Sequence, residues 1–585
     1  MRILTQLLIA VYVLVSLGQI NSLALSTSDE VPNFALLDYR GRFHELHRVE
    51  GKVVLLFFTG NGCPIARQSV AKLHELRKQF GKEGLTIWAV NSYAEDEREA
   101  IAKEAAQFRF GSIPILLDQS QTVALALGIQ RTAVVVAIST KDWKIIYQGA
   151  IDDQLSEGAQ KPGAENHYLE KALKDYKEGK QSSTSRTATK GCLISYEKVS
   201  EAEDGAVSYS KQVAPILQNK CANCHSEGNI GPFAFSSYGK VKNKARMIEE
   251  VISTRRMPPW HADPHYGKWE NDRSLTTKES QTLLRWIAQG AKQDGSEDPL
   301  AQAASPASDW PLGKPDYVLR LPAVEKIPAT GVLDYRHIRV ENIVPEDCWL
   351  SAVAVKPGNK KVVHHVILRA KYSGNGDDGS GRGVMIVGWA PGAFPARYHE
   401  GVGRFFPKNA RLDVEMHYTT MGAEQNDQTE IGLYVLPGKP KIETHVAAAF
   451  NSDFSIPPSE TDFRTFATSG FQKDTLIFSL SPHMHLRGSW FKFEALYPDG
   501  KKETLLSVPR YDFNWQTTYR LPEPKRVPKG TWILCTGGFD NSSKNPSNPD
   551  AAKRVTWGDQ SFDEMFIGFM DVADAPAESV SVSSK

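Results

Sequence analysis

Histidine, cysteine and methionine at short, ordered spacings are where this sequence carries chemistry. His483 and His485 follow the apolar run Leu476 to Leu480. Residues two apart on a strand point to the same side, so this pair can converge on one metal. His364 and His365 are adjacent in Val362 to Ile367. A flat strand would send them to opposite faces, so they reach one metal only if the strand twists or bulges there; otherwise one of them is a core or surface histidine. His417 closes the alternating stretch Leu412 to Tyr418, and Met565 lies in Trp557 to Phe569 beside Phe566 and Ile567, where a core role is the plain alternative. Cys221-Ala222-Asn223-Cys224-His225 has the spacing at which two thiols add to the haem vinyl groups while the next imidazole, His225, binds iron. A disulfide or a zinc half-site are its alternatives. Cys63 stands at a turn before a helical stretch, where a helix N-terminus stabilises a thiolate.

The elements that must hold these residues fall into blocks. From 31 to 180 short apolar runs alternate with helical patterns. Strands are expected at Val53 to Phe58, Thr86 to Asn91, Ile115 to Leu117, Val134 to Ser139 and Ile145 to Gln148, with a helix over Ile65 to Phe80. That βαβ order implies a central sheet covered on both faces. Pro32-Asn33-Phe34, Asp38-Tyr39-Arg40-Gly41 and the strand ending at Cys63-Pro64 resemble the redoxin branch of the thioredoxin-like superfamily. The chain departs from that branch at Ala66, where a second cysteine would complete C-x-x-C, and at Ala133, where its cis-proline loop has proline. Cys63 is thus a candidate redox thiol, with a docking or structural domain carrying a relic cysteine as the alternative. A polar stretch, 181–206, reads as a linker; Cys192 within it has no obvious role beyond pairing with Cys63.

Residues 207–295 resemble a class I cytochrome c domain. Tyr209 to Leu217 precedes the C-x-x-C-H motif, Met257-Pro258-Pro259-Trp260 follows it, and Leu275 to Ile287 forms a capped helix. The resemblance makes His225 the proximal iron ligand and Met257 the distal one, held by its prolines. Met247 is the other methionine in reach, in a helical stretch where it would pack in the core. A second linker, 296–314, is rich in Ala, Ser and Pro.

From Pro315 the pattern changes to short alternating strands cut by turns. The order His-His, His-Tyr, His-x-His, Glu-Met resembles the copper type II, ascorbate-dependent monooxygenases, the family of peptidylglycine α-hydroxylating and dopamine β-monooxygenases. It spans about Pro315 to Ala573. By that resemblance two antiparallel, jelly-roll-like β-sandwiches, 315–440 and 441–575, flank a reaction cleft, followed by a tail, 576–585. His364, His365 and His417 would hold an electron-transfer copper; His483, His485 and Met565 would hold the copper that meets O2, where a soft thioether favours Cu(I). The family's disulfides are not matched, since only Cys348 and Cys535 occur here; they pair or remain thiols.

The expectation is therefore a multidomain oxidoreductase with two copper ions and one covalent haem c. It would insert one oxygen of O2 into a C–H bond of a small organic or peptide substrate, drawing electrons from the fused cytochrome, from ascorbate or from another redox protein. An electron-transfer or redox-sensing protein and a non-catalytic binding module are the competing readings. Met1-Arg2 and the apolar run Leu7 to Leu17, with small residues at Ser22 to Ala24, read as a signal peptide over 1–24. The chain would then be periplasmic or secreted, without a membrane span when mature, or anchored if the segment is retained. Lys+Arg 69 against Asp+Glu 68, without basic blocks, argues against nucleic acid as a partner.

Overall fold

A computed structural model describes residues 29–156, 159–180, 184–196, 206–302, 310–372, 383–393 and 395–576. The expected signal peptide lies outside them. The chain divides into two compact units. One comprises Met1–Ile216, Val241–Pro258 and Leu275–Glu297; the other comprises Leu217–Lys240, Pro259–Ser274 and Asp298–Lys585.

In the first unit, five strands form one sheet in the order Ile115–Leu117, Leu85–Asn91, Val53–Thr59, Val135–Ser139, Ile145–Gly149. The first three run parallel and the last two antiparallel. Every residue of Val53–Thr59 is buried because both faces are covered. Val53, Leu55 and Phe57 pack with helices Pro64–Phe80 and Tyr168–Lys177, while Val54, Leu56 and Phe58 pack against Val123 and Ala124 on the other face. The α/β expectation holds, with element ends within a residue of those read from the pattern.

Part of the stretch read as a linker is laid along this domain. Residues 184–187 run beside the edge strand, with Gln148 N–H donating to Ser185 O at 3.0 Å and Thr187 N–H to Gln148 O at 3.1 Å. Residues 191–194 pair with Gln130 to Thr132, just ahead of strand Val135–Ser139, burying Ile194.

The helices expected between 207 and 295 are present: Ala214–Lys220 after a π-turn at Tyr209–Val213, then Ala245–Ser253 and Thr277–Ala288. Thr276 and Glu279 cap the last one reciprocally. They do not make the self-contained all-α domain expected. Ala245–Ser253 and Thr277–Ala288 belong to the first unit, whereas the C-x-x-C-H motif belongs to the second. The segment's buried apolar side chains include Tyr209, Leu217, Phe235, Val241, Leu283 and Trp286. Met247, expected inside, is 45% exposed on the outer face of its helix.

The second unit is largely β. One pair of sheets encloses a core that includes Leu350, Val366, Leu368, Phe406, Val414 and Met416. A second pair, built from residues 445–574, encloses Ile477, Leu480, Phe491, Phe493, Ile533 and Met570. Ile442–Glu443 still pairs with Val402 and Gly403 in the first sandwich, so the changeover falls at Thr444, a few residues beyond the expected boundary. Cys348 and Cys535 are buried in different sandwiches as unbridged thiols.

Candidate metal centre

Strand alternation sets the first histidine cluster. In Arg411–Tyr418, Leu412, Val414, Met416 and Tyr418 enter the core, leaving Glu415 and His417 on the opposite face. The neighbouring strand, Val363–Lys371, sends Val366, Leu368 and Ala370 to the same core and sets His365 directly opposite His417. His364 has the parity of the core residues, but the register slips between Val363 and His365. That bulge turns His364 toward its neighbour, as adjacency required. One nitrogen from each of His364, His365 and His417 lies within 4.8 Å of the others, all three residues buried.

In the second sandwich the strand Thr475–His483 ends at His483, so the H-x-H pair is not carried by one strand as expected. His485 lies in the following turn, and the turn brings the two rings to 5.2 Å at 89°. Buried neighbours fix that turn. His485 N–H and Arg487 N–H donate to the Glu564 carboxylate at 2.8 and 2.6 Å. The Tyr511 hydroxyl bridges the backbone of Met484, accepting from its N–H and donating to its C=O. His485 Nδ1 lies 3.2 Å from Asp563 O. Because a carbonyl only accepts, Nδ1 carries the proton and Nε2 keeps its lone pair. Met565, half-buried, directly follows Glu564 and stands two residues before Ile567, the strand partner of His483.

The two clusters share their surroundings. Tyr335 packs its ring 4.5 Å from His417, 5.0 Å from His365 and 6.5 Å from His485. Phe513 stacks on His364 at 5.0 Å and meets His485 at 5.6 Å. The loop holding Phe513 also places Gln516 Oε1 2.7 Å from His483 Nδ1 and Asn514 Oδ1 3.4 Å from His364 Nε2. A cavity of about 160 Å³ is lined by His365 and His483 together with Met385, Trp389, Gln516 and Phe569.

Burial keeps these imidazoles neutral. It holds His365 and His485 well below the usual range, and burial with the neighbouring His365 and His364 pushes His417 down to about 2. Neutral imidazole is the metal-binding form. His365 Nδ1 and His485 Nε2 are buried with no hydrogen-bond partner, which suits nitrogen atoms placed for a metal. The donor set fits copper.

Around the C-x-x-C-H motif, Cys224 and His225 N–H groups both donate to Cys221 O, at 3.1 and 3.0 Å. His225 Nδ1 lies 3.0 Å from Phe233 O, so its proton is committed there and Nε2 keeps the lone pair that would meet an iron. Phe235 stacks on the ring at 4.7 Å. A Cβ at Gly231 would lie 2.7 Å from both Cys224 O and His225 Nδ1, so the loop closes on glycine alone. These residues fit a covalent haem. Met257 belongs to the first unit, just past helix Ala245–Ser253, its N–H bonded to Val251 O at 3.1 Å.

Cys63 caps helix Pro64–Phe80, buried, with its sulfur 3.0 Å from Thr132 Oγ1. Burial raises its thiol pKa, but hydrogen bonds from Thr132, Ala66 N–H and Cys192 outweigh it and leave the thiol below its ordinary value. Sequence reasoning missed Tyr335, Phe513, Asn514 and Gln516; the amide- and aromatic-rich run 511–516 was the signal present.

Comparison with known proteins bears on the first unit. The AhpC/TSA family profile matches residues 27–150. A thiol-disulfide oxidoreductase ResA from Halalkalibacterium halodurans is 29% identical over 131 residues, 22% of this chain and 72% of the relative. ResA from Geobacillus thermodenitrificans is 31% identical over 106 residues, 18% of this chain and 59% of its own length. An uncharacterized conserved protein of solved structure from Geobacillus kaustophilus aligns over 31% of this chain and 96% of its own, at 24% identity and a TM-score of 0.28. The matched residues that the structure describes, from 29 on, form the five-stranded α/β domain of thioredoxin-like fold.

Proposed function

We propose that the protein is a copper- and haem-dependent monooxygenase that hydroxylates a C–H bond of an organic substrate with O2. The observation that carries this reading is two histidine groups, each with an orphaned ring nitrogen, that reach one cavity through His365 and His483. His364, His365 and His417 would hold one copper, and His483, His485 and Met565 the other. Copper at these positions supplies one-electron exchange and O2 activation. The chain's own residues do the positioning: Glu564 and Tyr511 fix the turn of His485, and Gln516 orients His483. Trp389, Met385 and Phe569 give the cavity an apolar wall against which a C–H bond can lie. The reaction consumes two electrons and two protons per O2. The C-x-x-C-H motif supports a tethered haem as donor at high effective concentration, with ascorbate or another redox protein as the external source.

Metal content of the haem-loaded protein tests the reading. Two coppers and one iron per chain are expected, with His364→Ala and His483→Ala each losing about one copper; iron without specifically bound copper overturns it. The redoxin domain favours a second reading, a multidomain electron-transfer protein without hydroxylation. O2 uptake that requires an added organic substrate separates the two.

A further inference from the structure

Cys192 stands far from Cys63 in sequence, yet the fold delivers it there. The segment 191–194 adds to the redoxin domain as a strand does: Arg131 and Leu193 form an antiparallel bridge. Thr132 N–H donates to Cys192 O at 2.9 Å, and Ile194 N–H to Gln130 O at 2.9 Å. Cys192 N–H donates to Thr132 Oγ1 at 2.9 Å, the same hydroxyl that lies 3.0 Å from Cys63 Sγ. Side chains lock the strap further, with Arg131 donating to Gly191 O at 2.8 Å, Tyr93 to Leu193 O at 2.6 Å and Gln121 to Ser195 O at 2.8 Å. The fit requires glycine: a Cβ at Gly191 would stand 1.9 Å from Thr132 O. Ala133, next along, holds φ 58, a left-handed conformation few alanines adopt, and its N–H donates to Phe58 O at 2.7 Å. Main-chain pairing of an extended segment at an exposed strand end is how peptides dock on sheets; here the docked peptide is the chain itself, and it carries a cysteine.

We infer that Cys63 and Cys192 form a reversible dithiol–disulfide couple in which Cys192 is the exchanging sulfur and Cys63 the resolving one. Exposure sets the roles, since Cys192 is exposed and Cys63 is 2% exposed beneath the strap. The Cys192 thiolate attacks an external disulfide, forming a mixed disulfide and releasing one thiol. The Cys63 thiolate then attacks the Cys192 sulfur, closing Cys63–Cys192 and releasing the second thiol. Two electrons pass from the pair to the external disulfide, and the two thiol protons leave with the released thiolates. An external dithiol reverses the cycle by attacking Cys192, with Cys63 as leaving group; hydrogen bonds from Thr132 and the Ala66 N–H suit Cys63 to that role. The couple restores the local partner that Ala66 denies the helix-start cysteine, and it operates whether or not the histidine groups hold copper.

Glutathione redox buffers and peptide mapping of the full-length, haem-loaded protein test this. The wild type is expected to give a Cys63–Cys192 cross-linked peptide with oxidised glutathione and lose it with dithiothreitol, without accumulating glutathione adducts. Cys63→Ser is expected to trap glutathione on Cys192, and Cys192→Ser to leave Cys63 at least tenfold slower to react. Absence of the cross-link in the wild type overturns the couple. Adduct forming faster on Cys63 in Cys192→Ser than on Cys192 in Cys63→Ser overturns the assigned roles.

Discussion

Two buried carboxylates show how single residues set stability and position. Asp118 is wholly buried, its oxygens accepting from Ser92 Oγ and from the Val123 and Ala124 N–H groups. Burial nevertheless wins and pushes its pKa from 3.8 up to about 6. The folded state therefore holds this proton more tightly than the unfolded chain. Its contribution is complete below pH 3.8 and is lost as pH rises through 6, about 3 kcal/mol in all. Denaturant unfolding of the redoxin domain's tryptophan signal from pH 4 to 7 is expected to show this fall, and Asp118→Asn to flatten it. Glu564 acts on the metal centre by geometry. Removing its side chain leaves two buried N–H groups, those of His485 and Arg487, without their acceptor, at about 1–3 kcal/mol each. Glu564→Ala is expected to lower the denaturation midpoint of the second unit and Glu564→Gln to lower it less, as the amide oxygen still accepts.

At the scale of elements, period-two alternation made the strands legible, and their ends were the weak point. Alternation in 412–418 placed His417 on the face away from the core, and the adjacency of His364 and His365 called for the bulge that the register slip supplies. The pattern failed at His485, because the residue after Pro482 and His483 leaves the strand, and what fixes the turn is Glu564 and Tyr511, distant in sequence. It failed again at 184–196, where a polar composition reads as a linker although the bonds holding it are main-chain bonds that composition does not encode. The strap gives the prediction for this scale. Gly191→Ala drives a methyl into Thr132 O, an overpacking worth about 1–3 kcal/mol. The clash falls at the strap's own docking point, so it lifts the strap while the sheet stays folded. Alkylation of Cys63 by iodoacetamide is expected to speed up at least tenfold, with the far-UV circular dichroism unchanged.

For the whole molecule, the division into two units separates what binding can stabilise. Both candidate histidine groups lie in the second unit, on Val363–Lys371, Arg411–Tyr418 and the end of Thr475–His483 with its following turn, while the first unit holds the α/β sheet. A ligand that binds only the folded state stabilises what it touches by RT ln(1 + [L]/Kd), about 4 kcal/mol at a thousandfold excess over Kd. Amide exchange is the measurement that reads this element by element. Copper added to the metal-free protein is expected to slow exchange about tenfold or more in those two strands, in 483–488 and in the loop 511–516, which touches both histidine groups through Phe513, Asn514 and Gln516. Strands Val53–Thr59 and Leu85–Asn91 are expected to exchange unchanged. Protection confined to the first three histidines would mean that the second group holds no copper, and the monooxygenase reading would fall to electron transfer alone. Protection extending across 511–516 in the wild type but lost in both His364→Ala and His485→Ala would show that this loop reads the occupancy of both groups at once.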